Sequence, residues 1–431
     1  MSKNLVLQPP RGTRDWLPEE AYAKRIVSEK IREVFESYGY GEVITPAFEY
    51  LDLLKAKAGE EVVEQIYAFK DKAGRELGLR FEMTTPIARI VASRLDLAKP
   101  LRFYYVQPVW RYEEPQRGRW REFWQAGIEL FGISEPEGDA EVVAVTFDAL
   151  KAVGLKDFDI RVNDRRVVED LVLGAGIPGD LLPSALRVLD KMDKFGEEYV
   201  VSELAKLGLR EDAATSLLEK LKSGSLDIDT STQPGREGLR RLALVVDTLK
   251  NCYGINVTVD YAIVRGLGYY TGFVFEVKAG SSEGLGSIAG GGRYDDLVSV
   301  VGGPKIPASG MAIGVERLLE ALSMQGALKL DYREVDVCVI PVKKTPEILS
   351  EAVAVARELR VAGMKVVLEV SERSLSKLLE AASKRGARFA IILGERELKE
   401  GVVTVRDLYL WKEEKVARPH LYEYIRAGSS T

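Results

Sequence analysis

One histidine, His420, stands in 431 residues. A histidine-based catalytic triad, a histidine general base in the main part of the chain and a multi-histidine zinc site are therefore excluded, and no zinc is expected. Two cysteines, Cys252 and Cys338, lie far apart in apolar sequence and read as buried thiols, not as a disulfide or a metal pair. No apolar run approaches the roughly 18 residues that a membrane span needs, and the start has no secretory hydrophobic core. A cytoplasmic protein without a membrane partner is expected. The P-loop pattern GxxxxGK is missing, so the commonest phosphate-binding loop is not available. Gly266, Gly268 and Gly272, and again Gly284, Gly286 and Gly290, imitate a dinucleotide fingerprint with the last spacing one residue too long. Both sets read as bends. Few Cys, Met and His beside 29% charged residues fit a thermophile's composition.

What is present is apolar enough, at 46% hydrophobic residues, to bury more than one core, and two or three domains are expected. The most informative stretch is WRYEEPQRGRWREFWQAGIELF, residues 110–131. From Arg121 the odd positions are Arg121, Phe123, Gln125, Gly127 and Glu129, while Trp124, Ala126, Ile128 and Leu130 fill the even ones. That alternation is a strand with an apolar back and a polar front. The aromatic run FYYVQPVWRY before it, joined through a turn at Pro115, Gln116, Arg117 and Gly118, makes a hairpin that floors a cleft. Charged hairpin faces are often only solvated ion pairs. Here the apolar back marks a sheet covered by core on one side.

A second constellation follows. DYAIVRGLGYYTGFVFEV (260–277) places Arg265 at the end of a strand, then a Gly-rich bend, Tyr269, Tyr270 and a strand from about Thr271. AGGGRYDDLV (289–298) brings three glycines that suit either a strand-end turn or close backbone approach to a ligand. ASGMAIGVERLLEAL (308–322) runs from strand into helix, with Val315, Leu318, Leu319 and Leu322 at helical spacing. Arg317 falls in the first helical turn, where the dipole disfavours a cation, so an anionic ligand is expected nearby.

Together these segments resemble the class II aminoacyl-tRNA synthetases and, more closely, the histidyl-tRNA synthetase family. The hairpin is similar to that family's motif 2, GVERL to motif 3, and RGLGYY and AGGGRYDDL to its two histidine-specific signatures. PPRGTRDWLP (9–18) resembles the N-terminal signature, and a helix over 19–38, a strand over 42–45 and Pro46 resemble motif 1, the dimer-forming element. One departure is Gly268, where many members carry Asp.

The resemblance implies an α+β fold: a class II catalytic domain over 1–330 with an antiparallel sheet and helices, interrupted by a helical insertion over 165–250 that helps clasp the tRNA acceptor arm. An α/β anticodon-binding domain over 335–431 follows. It implies ATP-dependent ligation of L-histidine to tRNA(His) by a homodimer through a histidyl-adenylate, with Mg²⁺ screening the polyphosphate and no identifiable metal ligands. Glu129 and Tyr270, with Tyr269 in the same loop, would hold the imidazole. Glu82 and Thr84 would take the ammonium, and Gln125 and Arg265 the carboxylate. Arg111 would reach both histidine and the α-phosphate, Glu113 the adenine edge, Phe123 one adenine face, and Arg317 the other face or the γ-phosphate. Arg119 and Arg121 would reach the terminal phosphates. Arg265 and Arg111 would be catalytic.

Plain alternatives exist for several of these residues. A Phe on a strand is usually core, Glu82 near Pro86 suits a helix start, and Arg265 at a strand end suits a pairing with Asp260 or Glu276. The chain as a whole has one rival reading: a non-catalytic, histidine-binding regulatory paralogue that partners a histidine-biosynthetic phosphoribosyltransferase. Such paralogues lack the C-terminal domain and erode the catalytic arginines, whereas Arg111, Arg265, Arg317 and the last domain are present here.

The last domain shows its own alternation. Strands are expected at 335–342, 365–370, 387–394 and 402–407, with helices at 346–362 and 374–385, giving a small, mostly parallel sheet. Residues 335–431 hold 17 Lys plus Arg against 14 Asp plus Glu, net +3, while the remaining 334 hold 44 against 52, net −8. A modestly positive module on an acidic enzyme fits local RNA contact. Lys377, Lys384, Arg385 and Arg388 individually suit a solvated helix just as well.

Overall fold

The computed structural model describes residues 7–56, 60–263, 269–280, 284–328 and 332–429. Arg265 and Gly268 lie outside the described residues. Two compact units divide the chain: one of Met1–Asp15 with Ala23–Lys329, the other of Trp16–Tyr22 with Leu330–Thr431.

The first unit is built on an eight-stranded sheet. Across it the order is Gly41–Glu42, Leu101–Trp110, Glu122–Phe131, Ala308–Gly314, Ser287–Arg293, Phe273–Ala279, Phe158–Asp164 and Thr258–Val259. The six central strands pair antiparallel, and only the two-residue strands at the edges pair parallel. The hairpin registers Gln107 against Gln125, Tyr105 against Gly127 and Phe103 against Glu129, so the front face read from alternation is the face observed. Directly opposed residues share a face. Glu129 in turn faces Gly310, and Gly310 faces Gly292; Gly127 faces Ala312, and Ala312 faces Gly290. Small residues therefore occupy the front of the two strands beside the hairpin. Their lack of bulk makes room for the Glu129 carboxyl and the Tyr294 hydroxyl, which lie over Gly310.

One end of this front is closed by a core in which Ile87, Ala88 and Val91 of helix Thr84–Ser93 and Leu297 and Val298 of helix Leu297–Val300 pack with Val109, Phe131 and Val274. Helix Pro136–Ala152 packs against the strands from 122, 287 and 308, with Pro at its start, Glu137 and Asp139 in its first turn and Lys151 in its last. The first helix spans Pro18–Ser37, one residue displaced from expectation, and the strand expected at 42–45 is only Gly41–Glu42. Between 165 and 252 the chain forms helices Arg165–Gly174, Leu182–Asp190, Met192–Phe195, Glu197–Lys206, Glu211–Lys222 and Gln233–Cys252. Thr232 caps the last of these by accepting from the Gly235 amide, and the helix packs on 165–174 and 136–152. Cys252, at its end, is exposed and corrects the expectation of a buried thiol, whereas Cys338 is buried and its thiol is pushed up to about 11 by desolvation.

In the second unit five strands lie in the order Val366–Leu368, Val337–Pro341, Phe389–Leu393, Val402–Asp407 and Lys412–Ala417. The first three are parallel and the last two antiparallel, so the sheet is mixed and not mostly parallel. Val337 and Val339 pack into one core with Ile348, Val355 and Leu359, while Cys338 and Ile340 pack into another with Leu378, Leu379 and Ala382. Cover on both faces explains why these strands read as continuous apolar runs. The edge strand KEEKVA is exposed over most of its length and has no periodicity to betray it. His420 is exposed, 3.7 Å from Glu423.

Candidate active site

Glu129 is 1% exposed on the front of the sheet. Its Oε1 accepts from the Thr84 hydroxyl at 2.8 Å and lies 3.4 Å from the Tyr105 hydroxyl, and its Oε2 accepts from the Tyr294 hydroxyl. A carboxylate so buried is costly. Desolvation raises its pKa well above the ordinary range, the Thr84 bond opposes that shift, and the nearby Glu82 adds to it. Gly310 is required opposite: a Cβ there would stand 2.3 Å from both Glu129 Oε2 and the Tyr294 hydroxyl. Gly127 plays the same part for Tyr105, whose hydroxyl would lie 2.4 Å from a Cβ.

The walls are aromatic. Tyr269 and Tyr270 are buried with ring centroids 4.9 Å apart, and Tyr294 stands 5.6 and 6.4 Å from them. Burial, with Tyr270 beside it, pushes the Tyr269 hydroxyl well above its usual range. Glu82, 3% exposed, accepts from the backbone amides of Thr84 at 2.5 Å and Thr85 at 2.9 Å. It is thus the helix-start carboxylate of Thr84–Ser93, and the same two bonds hold it in place beside Thr84 and Glu129. Gln125 is buried, and its Oε1 has no hydrogen-bond partner among the described residues. A buried acceptor of that kind fits a donor arriving with a ligand.

Next along the hairpin come the cations. Arg111 donates from Nε to the Phe81 carbonyl at 2.9 Å, and its guanidinium lies 5.1 Å from the Phe123 ring centre. Phe123 is half-buried and also packs on the core that closes one end of the front, so its packing alternative is partly realised. Arg119 pairs with Glu113 at 3.7 Å. Arg121 donates to the Glu113 carbonyl at 3.0 Å and stands 4.1 Å from the Tyr112 ring centre. Arg317, in the first turn of helix Val315–Met324, donates to the carbonyls of Ser287 at 2.7 Å and Gly118 at 3.3 Å. It ties the hairpin loop to the strand from 287. Its cation reaches carbonyl oxygens there, which offsets the unfavourable dipole.

The structure therefore brings Glu82, Thr84, Gln125, Glu129, Tyr269 and Tyr270 to one end of the cleft, and Arg111, Glu113, Arg119, Phe123 and Arg317 to the hairpin side. Of the two carboxylates weighed as partners for Arg265, Asp260 pairs with Arg161 at 3.0 Å and Glu276 accepts from Ser287 at 2.5 Å.

Four contributors escaped the sequence reading. Tyr105 and Tyr294 sit in runs that carried other arguments, though alternation from Phe103 places Tyr105 on the front. Arg80, 3% exposed, donates to the carbonyls of Thr45, Pro46 and Pro108, and desolvation lowers its pKa to about 10. Gly12, in PPRGTRDW, accepts the Arg121 amide at 2.7 Å with φ at +85°. A Cβ there would meet Arg121 Cγ at 2.6 Å, so the N-terminal signature is shaped to seat the hairpin loop.

Comparison with known proteins gives these positions a family. Residues 12–318 match the family model for histidyl-tRNA synthetase, and residues 336–428 match that for an anticodon binding domain. A histidine–tRNA ligase of Pyrococcus abyssi is 42% identical over 414 residues, covering 94% of this chain and 95% of its own. One of Pyrobaculum calidifontis is 44% identical, with 98% of each covered. Among solved structures, a histidyl-tRNA synthetase from Nostoc sp. PCC 7120 superposes with a TM-score of 0.78 at 29% identity, covering 98% of this chain and 99% of its own. A Bacillus halodurans structure described as an ATP phosphoribosyltransferase regulatory subunit/histidyl-tRNA synthetase gives 0.75 at 27%, covering 91% and 99%.

Proposed function

The chain belongs to the histidyl-tRNA synthetase family, and from that premise we propose how its own residues ligate histidine to tRNA(His). It is an ATP-dependent enzyme of translation. In the first step a carboxylate oxygen of histidine attacks the α-phosphorus of ATP, the bond to the bridging oxygen breaks, and pyrophosphate leaves with the electron pair. The attacking oxygen is already ionised, so no general base is needed, in keeping with the lone histidine at 420. Positioning and charge neutralisation are what the step requires. In the second step a terminal ribose hydroxyl of the tRNA takes the histidyl group and AMP departs.

The observation that carries the residue assignment is the buried Glu129 carboxyl ringed by hydroxyls and seated over Gly310. An imidazole presents one donor and one acceptor on a flat ring. Glu129 takes the donor, Tyr270 the opposite edge, and Tyr269 packs beside it. Glu82, Thr84 and the Gln125 carbonyl oxygen offer acceptors to the ammonium; for Gln125 to meet the carboxylate instead, its amide turns over. Arg111 bridges histidine and the α-phosphate, Phe123 and Arg317 take the adenine faces, Glu113 takes its edge, and Arg119 and Arg121 take the terminal phosphates. Mg²⁺ enters with ATP as part of the substrate. We place the enzyme in the cytoplasm as a homodimer, with residues 1–330 as catalytic domain, 165–250 as a helical insertion beside the acceptor arm and 335–431 on the anticodon. The anticodon-domain match over 336–428 supports tRNA as the partner and favours the ligase over the regulatory reading.

Arg265 holds the histidine carboxylate and an α-phosphate oxygen together, a bidentate task suited to a planar guanidinium. Arg265→Ala is expected to cost about 10² or more in adenylate formation, read by pyrophosphate exchange. Transfer from preformed histidyl-adenylate should suffer less. Near-normal exchange in that variant would remove Arg265 from the reaction.

A further inference from the structure

Strand Ala308–Gly314 ends one residue before its neighbour has used up its hydrogen-bonding groups. Gly314 faces Gln125, and beyond it the chain has turned into helix Val315–Met324, so the Trp124 amide has lost its strand partner. A side chain takes over: Glu316 Oε2 accepts from the Trp124 amide at 2.9 Å. Its other oxygen accepts from Lys24 Nζ at 3.2 Å, and that ammonium lies 4.4 Å from the Trp124 ring centre. Lys24 and Glu316 are only 9% and 7% exposed. Burial lowers the lysine pKa and raises that of the glutamate, both against their charges.

A buried pair of this kind is weak evidence for stability, because well-packed apolar residues often do as well. Its position offers another reason for it. Trp124 adjoins Phe123 and Glu316 adjoins Arg317, the two side chains assigned to the adenine faces. We propose that Lys24 and Glu316 are positioning residues that fix Phe123 and Arg317 at the separation ATP requires. This rests on the adenine assignment above. Glu316 locks the hairpin strand to the first turn of the motif 3 helix, and Lys24 keeps that carboxylate in place from the first helix.

The test compares variants that keep or remove the acceptor. Lys24→Met/Glu316→Leu replaces the pair by apolar bulk and takes the acceptor from the Trp124 amide; it is expected to fold with a somewhat lower Tm, to raise the ATP KM about tenfold and to leave the histidine KM unchanged. Glu316→Gln, with Lys24 kept, retains an acceptor for the Trp124 amide and should hold its ATP KM within about threefold of wild type. An unchanged ATP KM in the folded Leu variant overturns the proposal, as does a tenfold rise in the Gln variant with its Tm intact. The second result decides even where the Leu variant does not fold. Phe123→Ala separates the two levels. If it leaves the ATP KM unchanged, the adenine assignment and this proposal fall together. If it raises the KM while the Leu variant does not, only this proposal falls.

Discussion

Replacing Glu129 by Gln changes one oxygen to a nitrogen in a side chain that is only 1% exposed. The carboxyl now accepts from Thr84 and Tyr294 and, on the proposed reading, from the imidazole N–H. An amide keeps the volume but has a single acceptor oxygen, so at least one hydroxyl or the ligand must face an NH₂ group. With histidine bound and its N–H on the ionised carboxylate, a hydrogen bond to that charged partner is worth about 1.5–3 kcal/mol. At about 1.4 kcal/mol per decade, the histidine KM in pyrophosphate exchange should rise about 10- to 150-fold with the ATP KM little changed. The same variant carries a pH signature. Glu129's pKa is raised in the folded protein, so between the ordinary carboxylate range and that raised value the folded chain holds a proton that the unfolded chain has released. Its contribution to stability is therefore full at acid pH and is lost as pH rises through the raised pKa. Urea unfolding of the histidine-free protein should show that decline in wild type and less of it in Glu129→Gln. An unchanged histidine KM would refute the imidazole contact, and identical pH slopes would refute the protonation argument.

Phe123→Ala should weaken ATP more than histidine in the same assay; equal loss of both would reduce Phe123 to its packing on the core. Gly12→Ala and Gly39→Ala impose the same left-handed backbone penalty, at φ of +85° and +80°, but a Cβ at Gly39 has nothing within 4 Å whereas one at Gly12 meets Arg121. Gly39→Ala should lose about 1–2 kcal/mol in chemical unfolding, and Gly12→Ala at least that much. Only Gly12→Ala should raise the ATP KM, and parallel kinetics in the two would dismiss the N-terminal signature as a seat for the hairpin.

The front face of the hairpin was legible because a period of two survives in any strand covered on one side, and Gln125, Gly127 and Glu129 fall where that period puts them. The seat of Glu129 was not, since the role of Gly310 depends on which strand lies beside Glu129, a long-range pairing that local pattern does not encode. Tyr294 was hidden for the same reason: its partner is 165 positions away. Glu82 shows how two readings can coincide, as the helix-start carboxylate is also the group set beside Thr84. Arg317 breaks the dipole rule as the sequence indicated, yet its partners are the carbonyls of Ser287 and Gly118, atoms with no signature in sequence. In the C-terminal unit the covered strands announced themselves by apolar runs, while the edge strand Lys412–Ala417, polar on both sides, did not.

The central claim is that this cleft activates histidine and no other amino acid. ATP–pyrophosphate exchange, run with each of the twenty amino acids in turn and with or without tRNA(His), tests it directly. Exchange with histidine alone, already present without tRNA and followed by histidine incorporation into tRNA(His), is the predicted result. Absence of histidine-dependent exchange, or stronger exchange with a different amino acid, would contradict it.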